Sequence, residues 1–121
     1  MSAFVWAGVL VLGGLGSVTR FMVDSSVARR AGRSFPFGTL TVNITGAVLL
    51  GFITGLALSH HAALLAGTGF VGAYTTFSTW MFETQRLTEE RQLWPAVANL
   101  GVSVALGIVA AAAGQAIAGL P

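Results

Sequence analysis

Residues Gly69 to Glu83 read GFVGAYTTFSTWMFE, a glycine-rich apolar stretch with four small hydroxyl side chains near its middle. Each glycine lowers helix propensity by about 1 kcal/mol relative to alanine, and the β-branched pair Thr75 and Thr76 follows Gly72 closely. One prediction is a broken membrane helix, because breaks are tolerated where the freed backbone groups are buried in protein or face water or an ion. The alternative is a continuous helix whose hydroxyl groups donate to carbonyls of the preceding turn.

The composition around this stretch is typical of a membrane protein. Of the 121 residues, 55% are hydrophobic and 8% are charged, whereas about a quarter of the residues in a soluble domain are charged. Cysteine is absent, which excludes disulfides, thiolate nucleophiles and cysteine metal sites. The arginines are too thinly spread to form the basic patch of a nucleic-acid-binding protein, so no nucleic-acid partner is expected.

Four stretches have the roughly 20 mainly apolar residues that a helix needs to cross a bilayer. They are residues 3–23, 37–58, 62–82 and 93–120. The connections are short, so we predict one all-α membrane domain of four transmembrane helices with a break in the third. A soluble four-helix protein is the alternative, but its helices need a polar outer face, and the fourth stretch has no ionisable side chain.

The arginines are distributed unevenly between the two ends of these predicted helices. The first and third connections contain five arginines, whereas the second, Ser59-His60-His61, contains none. Lysine and arginine are enriched in cytoplasmic loops of membrane proteins. This distribution therefore predicts that both termini lie outside the cytoplasm.

Polar side chains within the spans each have two interpretations. Arg20 either attracts anions or extends its guanidinium to the lipid headgroups, and Asn43 either bonds to a neighbouring helix or lines a pathway. Asn99 and Ser103 are spaced four apart, on one helical face, and also fit either role. Gly107, on the same face, is predicted to be a packing residue.

The ionisable inventory of the spans is too small for an enzyme. It consists of Arg20 and, at the end of the third span, Glu83. A proton-coupled small multidrug-type transporter is an alternative function, but that family is expected to carry a glutamate in its first span, and residues 3–23 contain none. A non-conducting membrane assembly protein is a further alternative.

The chain closely resembles the Fluc/CrcB family of small bacterial fluoride channels. The resemblance rests on Gly16 and Arg20, on GTLTVNITGAVLLGF (residues 38–52), on GFVGAYTTFSTWMFE, and on NLGVSVALG (residues 99–107). It implies an antiparallel, dual-topology dimer of four-helix subunits, multi-pass in the lipid bilayer of the bacterial plasma (inner) membrane. It also implies two fluoride pores lined by both chains and a structural sodium ion (Na⁺) at the dimer centre.

The resemblance also assigns roles to individual residues by position. The sodium ion would be held by backbone carbonyls of Gly72 and Thr75, and Arg20 matches the family's first-span arginine. The fluoride pore would be lined by Asn43, Phe77, Ser78, Thr79, Thr41, Ser103, Trp80 and Glu83. The implied function is passive export of cytoplasmic fluoride, which reduces fluoride toxicity.

Two features depart from the family's pattern. Trp80 stands where the family commonly has a second phenylalanine; its indole N–H either serves the anion, or its bulk narrows the path, or the side chain turns toward lipid or a partner helix. The one-sided arginines favour a single orientation in the membrane, whereas an antiparallel homodimer needs both. The partner is therefore a second copy of the chain or an inverted paralogue.

Overall fold

The computed structural model describes residues 2–121, and nearly all of them are helical. The elements in chain order are α1 (Ala3–Ala31), α2 (Phe37–Gly55), α3 (His60–Ala63), a π-helix (Leu64–Val71), α4 (Gly72–Tyr74), α5 (Ser78–Glu89) and α6 (Leu93–Ala118). No strand occurs among these described residues. The expected all-α class is therefore confirmed.

Three of the helices, α1, α2 and α6, are long and apolar enough to cross a membrane. A bent helical segment, residues 60–89, lies between α2 and α6 in the chain. The first helix continues beyond the predicted end at Val23 to Ala31, so Arg29 and Arg30 occupy its last turn. Positive charge is favourable there, since the carbonyl end of a helix carries partial negative charge.

The bent segment loses regular α-helical geometry in two steps. It first widens into the π-helix, which contains two glycines, and regular helical geometry then ends after Tyr74. Thr75 is extended, with φ −82° and ψ 163°, and both its N–H and its hydroxyl donate to the Val71 carbonyl at 3.0 Å. Helix α5 begins at Ser78, where the Thr76 hydroxyl accepts from the N–H of Thr79 at 3.2 Å. Hydroxyl groups therefore end one helix and begin the next.

Helices α2 and α6 form the most extensive interhelical contact, and glycines allow their backbones to touch. A Cβ atom added to Gly114 would lie 2.8 Å from the Phe52 nitrogen, and one added to Gly51 would lie 2.9 Å from the Ala111 carbonyl carbon. Real Cβ atoms do not approach other atoms so closely. Small residues at such positions are the usual basis of close helix packing in lipid.

Gly16 and Gly107 have contrasting surroundings. Gly16 of α1 lies against the carbonyl of Phe70 in the π-helix, so the first helix packs there without a side chain. Gly107 of α6 has no atom from outside its own stretch of helix within 4 Å of an added Cβ. Within the single chain this position faces open space, and the packing role of Gly107 stays a prediction.

The arginine-rich connections lie at the same end of the helices. Arg86, in the link beyond the predicted third span, donates to the Arg33 carbonyl at 3.3 Å. Arg86 also pairs with Glu83 at 2.8 Å and with Glu90 at 3.0 Å. The hydrogen bond to the Glu83 carboxylate is the main cause that raises the pKa of Arg86 above its ordinary value. The Arg86 guanidinium therefore remains charged at this end of the molecule.

Candidate functional site

The Asn43 side chain pairs with the backbone at the interruption of the bent segment. Its Nδ2 donates to the Thr76 carbonyl at 2.9 Å, and its Oδ1 accepts from the Thr76 N–H at 2.8 Å. The Asn43 side-chain amide thus takes the place of the backbone partners that the N–H and the carbonyl of Thr76 would have in a continuous helix. A side-chain amide has two N–H donors, so one Asn43 donor remains after this pairing. Asn43 therefore bonds to a neighbouring segment and also keeps a donor for a ligand.

An open cavity of about 540 Å³ lies beside this junction, and we call it the groove. Its walls come from α2, the bent segment and α6. Among the predicted site residues, those that line it are Asn43, Gly72, Thr75, Phe77, Trp80 and Ser103. Of the described residues, none with a charged side chain lines this groove. The fold therefore brings six candidates from three parts of the sequence into one uncharged space.

Phe77 is the most prominent aromatic group of the groove. Its side chain is 70% exposed within the single chain. The ring meets that of Trp80 edge to face, with centroids 5.8 Å apart and planes at 82°. Aromatic rings carry partial positive charge at their edges and negative charge on their faces, so an edge-to-face contact between them is favourable.

The indole of Trp80 is directed toward α6. Its Nε1–H donates to the backbone carbonyl of Asn99 at 2.9 Å. The sequence left three roles open for the Trp80 side chain. In the structure its N–H is already bonded to α6 and its ring borders the groove. This N–H is therefore not a free donor for an anion.

A buried polar cluster lies behind Trp80. Asn99 is fully buried, and its Nδ2 donates to the Thr84 hydroxyl at 2.9 Å. The Asn99 Oδ1 and the Ser103 Oγ are buried and have no hydrogen-bond partner among residues 2–121. Thr84 was missed by sequence reasoning because a threonine near a helix end carries no distinguishing pattern.

A second cavity, of about 210 Å³, lies on the other side of the junction, and we call it the inner cavity. Its lining includes Arg20, Asp24, Thr39, Thr76 and Thr79. The Nε atom of Arg20 is buried there without a hydrogen-bond partner among the described residues. Arg20 and Thr79 thus belong to this space and not to the groove.

A third cavity, of about 270 Å³, lies at the arginine-rich end. It shares Asp24 and Thr39 with the inner cavity, and Glu83 and Arg86 also line it. Thr76 borders both the inner cavity and the groove, so neighbouring spaces share lining residues from the arginine-rich end to the groove. Sequence reasoning did not assign Asp24 or Thr76 to the site.

The remaining predicted pore residues, Thr41 and Ser78, line none of these three cavities. The Thr41 carbonyl accepts from the Thr45 hydroxyl at 2.7 Å. The Ser78 hydroxyl lies 3.4 Å from that of Thr76, at the exposed start of α5. Within one chain, both therefore lie at the margin of the site.

The carbonyls predicted to hold sodium lie where the helix ends. Among residues 2–121, no hydrogen bond reaches the carbonyl oxygen of Gly72 or of Thr75. Their usual donors are engaged elsewhere, because the N–H of Thr76 bonds to the Asn43 side chain and the N–H of Thr79 bonds to the Thr76 hydroxyl. Both residues border the groove. Two carbonyl oxygens are thus available there as cation ligands.

Comparison with known proteins identifies the family. The model of the family described as "CrcB-like protein, Camphor Resistance (CrcB)" matches residues 7–115. The chain belongs to the CrcB-like family. This membership confirms the resemblance inferred from the sequence, and the family is one of ion channels and not of enzymes.

Relatives within the CrcB-like family extend over nearly the whole chain. "Fluoride-specific ion channel FluC 2" of Mycobacterium bovis (strain ATCC BAA-935 / AF2122/97) is 68% identical over 118 residues, covering 98% of this chain and 94% of that protein. "Fluoride-specific ion channel FluC 1" of Leifsonia xyli subsp. xyli (strain CTCB07) is 40% identical over 124 residues, covering 99% and 90%. "Fluoride-specific ion channel FluC" of Acidobacterium capsulatum is 39% identical, covering 94% of each.

Proposed function

We propose that the protein is a fluoride-selective channel through which cytoplasmic fluoride leaves the cell passively, which reduces fluoride toxicity. The names of its CrcB-like relatives support this function. The observation that carries it is the series of spaces that meets at the Asn43–Thr76 junction, with Arg20 on one side and the uncharged groove on the other. The bacterial inner membrane is the compartment in which such export takes place.

The groups along this route suit a small, strongly hydrated anion. Selectivity in channels comes from replacing the hydration shell of an ion with fixed dipoles or charges of the pore. The remaining N–H of Asn43, the hydroxyl of Ser103 and the positive edge of Phe77 provide neutral replacement for water in the groove. A fixed cation there would hold the anion too tightly to release it, and Arg20, the cationic side chain of the inner cavity, lies before the groove.

We propose that the functional unit is an antiparallel dimer. The groove is open on one side and carries the exposed Phe77, so a second subunit in inverted orientation would close it and complete each pore. The third membrane span would then be residues 62–82 of the bent segment, broken between Tyr74 and Ser78. The arginines at one end of the helices disfavour insertion of the same chain in both orientations. The partner is therefore either a second copy of this chain that inserts the other way despite this bias, or a paralogue of opposite orientation.

A fluoride efflux experiment tests the channel function of the chain alone. Liposomes loaded with potassium fluoride and containing the purified protein should release fluoride rapidly when valinomycin provides the counter-flux of potassium. The same liposomes should release chloride no faster than protein-free liposomes, because neutral donors in a rigid groove favour the smaller anion. An imposed pH gradient should not be required.

Two results would contradict parts of this proposal. Fluoride release that depends on a pH gradient would favour the proton-coupled transporter. Release at the protein-free rate would exclude a homodimeric channel, and flux recovered with an inverted paralogue would then support the heterodimer.

We further propose a structural sodium ion between the two subunits. The residues fit such an ion, since the Gly72 and Thr75 carbonyls have no hydrogen-bond donor among the described residues and lie on the side that the second subunit would cover. Hard cations prefer oxygen ligands, and carbonyls of interrupted helices coordinate sodium in membrane transporters. The ion would link the subunits and add a mild positive potential.

Removal of sodium tests this site. When N-methylglucamine replaces sodium throughout purification, the protein should migrate as a monomer on size-exclusion chromatography and lose fluoride flux, because the large organic cation cannot fit between carbonyl groups. Adding sodium back should restore the dimer. An unchanged dimer with full flux in the absence of sodium would show that these carbonyls hold no required ion.

A further inference from the structure

Several hydroxyl side chains of this protein donate to the carbonyl four residues earlier. Five threonines do so, at 2.7 to 3.0 Å: Thr19 to Leu15, Thr45 to Thr41, Thr75 to Val71, Thr84 to Trp80, and Thr88 to Thr84. Such bonding satisfies a hydroxyl within an apolar environment. Ser103, in the middle of α6, does not follow this pattern, because its Oγ has no partner among residues 2–121.

The carbonyl that Ser103 would use is occupied by Trp80. The position four residues before Ser103 is Asn99, and the Asn99 carbonyl accepts the Trp80 indole N–H at 2.9 Å. A backbone carbonyl has two lone pairs, and within an α-helix one of them accepts the N–H four residues later. The indole takes the second. The Ser103 hydroxyl would therefore reach this carbonyl only as a third donor, in competition with the indole.

The freed hydroxyl has no other acceptor among the described residues that surround it. The Asn99 Oδ1 also lacks a partner there, so the two groups do not bond to each other. Ser103 is 9% exposed and borders the groove together with Phe77 and Trp80. A buried hydroxyl without an acceptor is costly, and an arrangement that maintains one at the edge of a cavity indicates that the acceptor enters from the cavity.

We propose that Trp80 is a positioning residue that keeps the Ser103 hydroxyl free to donate to an anion in the groove. It acts by occupying the Asn99 carbonyl, not by contacting the anion through its own N–H. This inference rests on the proposed function of the groove as a fluoride path. It assigns to the tryptophan a role that a phenylalanine at the same position cannot perform, because phenylalanine has no N–H.

A double-mutant cycle tests the coupling between the two residues. With Trp80 present, Ser103→Ala should lower fluoride flux about tenfold, the loss expected for one hydrogen bond to a charged group. In the Trp80→Phe background the Ser103 hydroxyl returns to the Asn99 carbonyl, so Ser103→Ala should change flux little. Ser103→Thr in the Trp80 background should restore most of the flux, because it returns the hydroxyl.

Trp94→Phe is the matched control, since Trp94 lies in the first turn of α6 and is 83% exposed. It should leave the effect of Ser103→Ala unchanged. If Ser103→Ala caused equal losses of flux with and without the Trp80→Phe substitution, the positioning role would be overturned while the channel function remained intact. Absence of fluoride flux in the unmodified protein would overturn both.

A second measurement does not depend on transport. Exchange of the indole N–H protons with solvent, followed by NMR in detergent micelles, should be slow for Trp80 and fast for Trp94, whose resonances can be assigned from the two substitutions to phenylalanine. Fast exchange at Trp80 would overturn the inference, since the Asn99 carbonyl would then be open to Ser103. Slow exchange combined with the coupled flux losses supports it.

Discussion

Phe77→Ile is expected to reduce fluoride efflux to the rate of protein-free liposomes while the dimer still forms. Isoleucine keeps the apolar bulk at this position but lacks the aromatic ring and therefore its positive edge. Phe77 projects into the groove and is 70% exposed in the single chain. An anion that has given up part of its hydration shell would meet only methyl groups there, so the path acquires a region with no stabilising group.

The measurement combines efflux with size-exclusion chromatography of the same preparation. Phe82→Ile is a suitable control, since Phe82 is in α5, is similarly exposed at 66%, and does not line the groove. That variant should conduct normally. Normal flux in Phe77→Ile would remove this ring from the path, and loss of the dimer in that variant would instead assign Phe77 to assembly.

Asn43→Leu is expected to lower both the thermal stability of the protein and its fluoride flux, and it is the second substitution with a large expected effect. Leucine has a similar volume but leaves the N–H and the carbonyl of Thr76 without the partners that lie at 2.8 and 2.9 Å. Each buried polar group that loses its partner costs about 1–3 kcal/mol. The junction between Thr75 and α5 should therefore rearrange, and thermal unfolding in detergent should shift to lower temperature together with loss of fluoride flux.

Thr45→Val is the matched control for Asn43→Leu. Thr45 lies in the same helix and its hydroxyl is 2.8 Å from that of Tyr74, so valine also removes one contact between α2 and the bent segment. It leaves the Thr76 backbone paired with Asn43, and flux should remain near normal with a smaller thermal shift. If both variants kept full flux, the Asn43–Thr76 pairing would not be needed for conduction.

The class of the fold was predictable from the sequence because apolar content and span length depend on residue types alone. Helix α6 begins at the predicted residue, Leu93, while α1 ends at Ala31 and not at Val23. Hydropathy marks where a chain can enter lipid, whereas the end of a helix depends on capping. Gly32, with φ 82° and its N–H bonded to the Ala28 carbonyl, provides that cap.

The candidate site was predictable only in part, because many of its contacts involve the backbone. Asn43, Phe77, Trp80 and Ser103 lie along one groove, whereas the other four predicted pore residues do not line it. The sequence left the direction of Trp80 open, since its acceptor is the carbonyl of Asn99, and any residue has a carbonyl. The role of each residue toward fluoride stays a prediction.

The backbone contact between α2 and α6 has a mechanical consequence for selectivity by size. Both helices supply walls of the groove, and they touch at Gly51 and Gly114 without intervening side chains. A wall of flexible side chains can make room for a larger ion through rotamer changes. Where two backbones touch, room is made only if whole helices move. The contact therefore restricts the movement of the two helices relative to each other, and in the proposed channel an oversized anion would meet a steep energy rise on entering the groove.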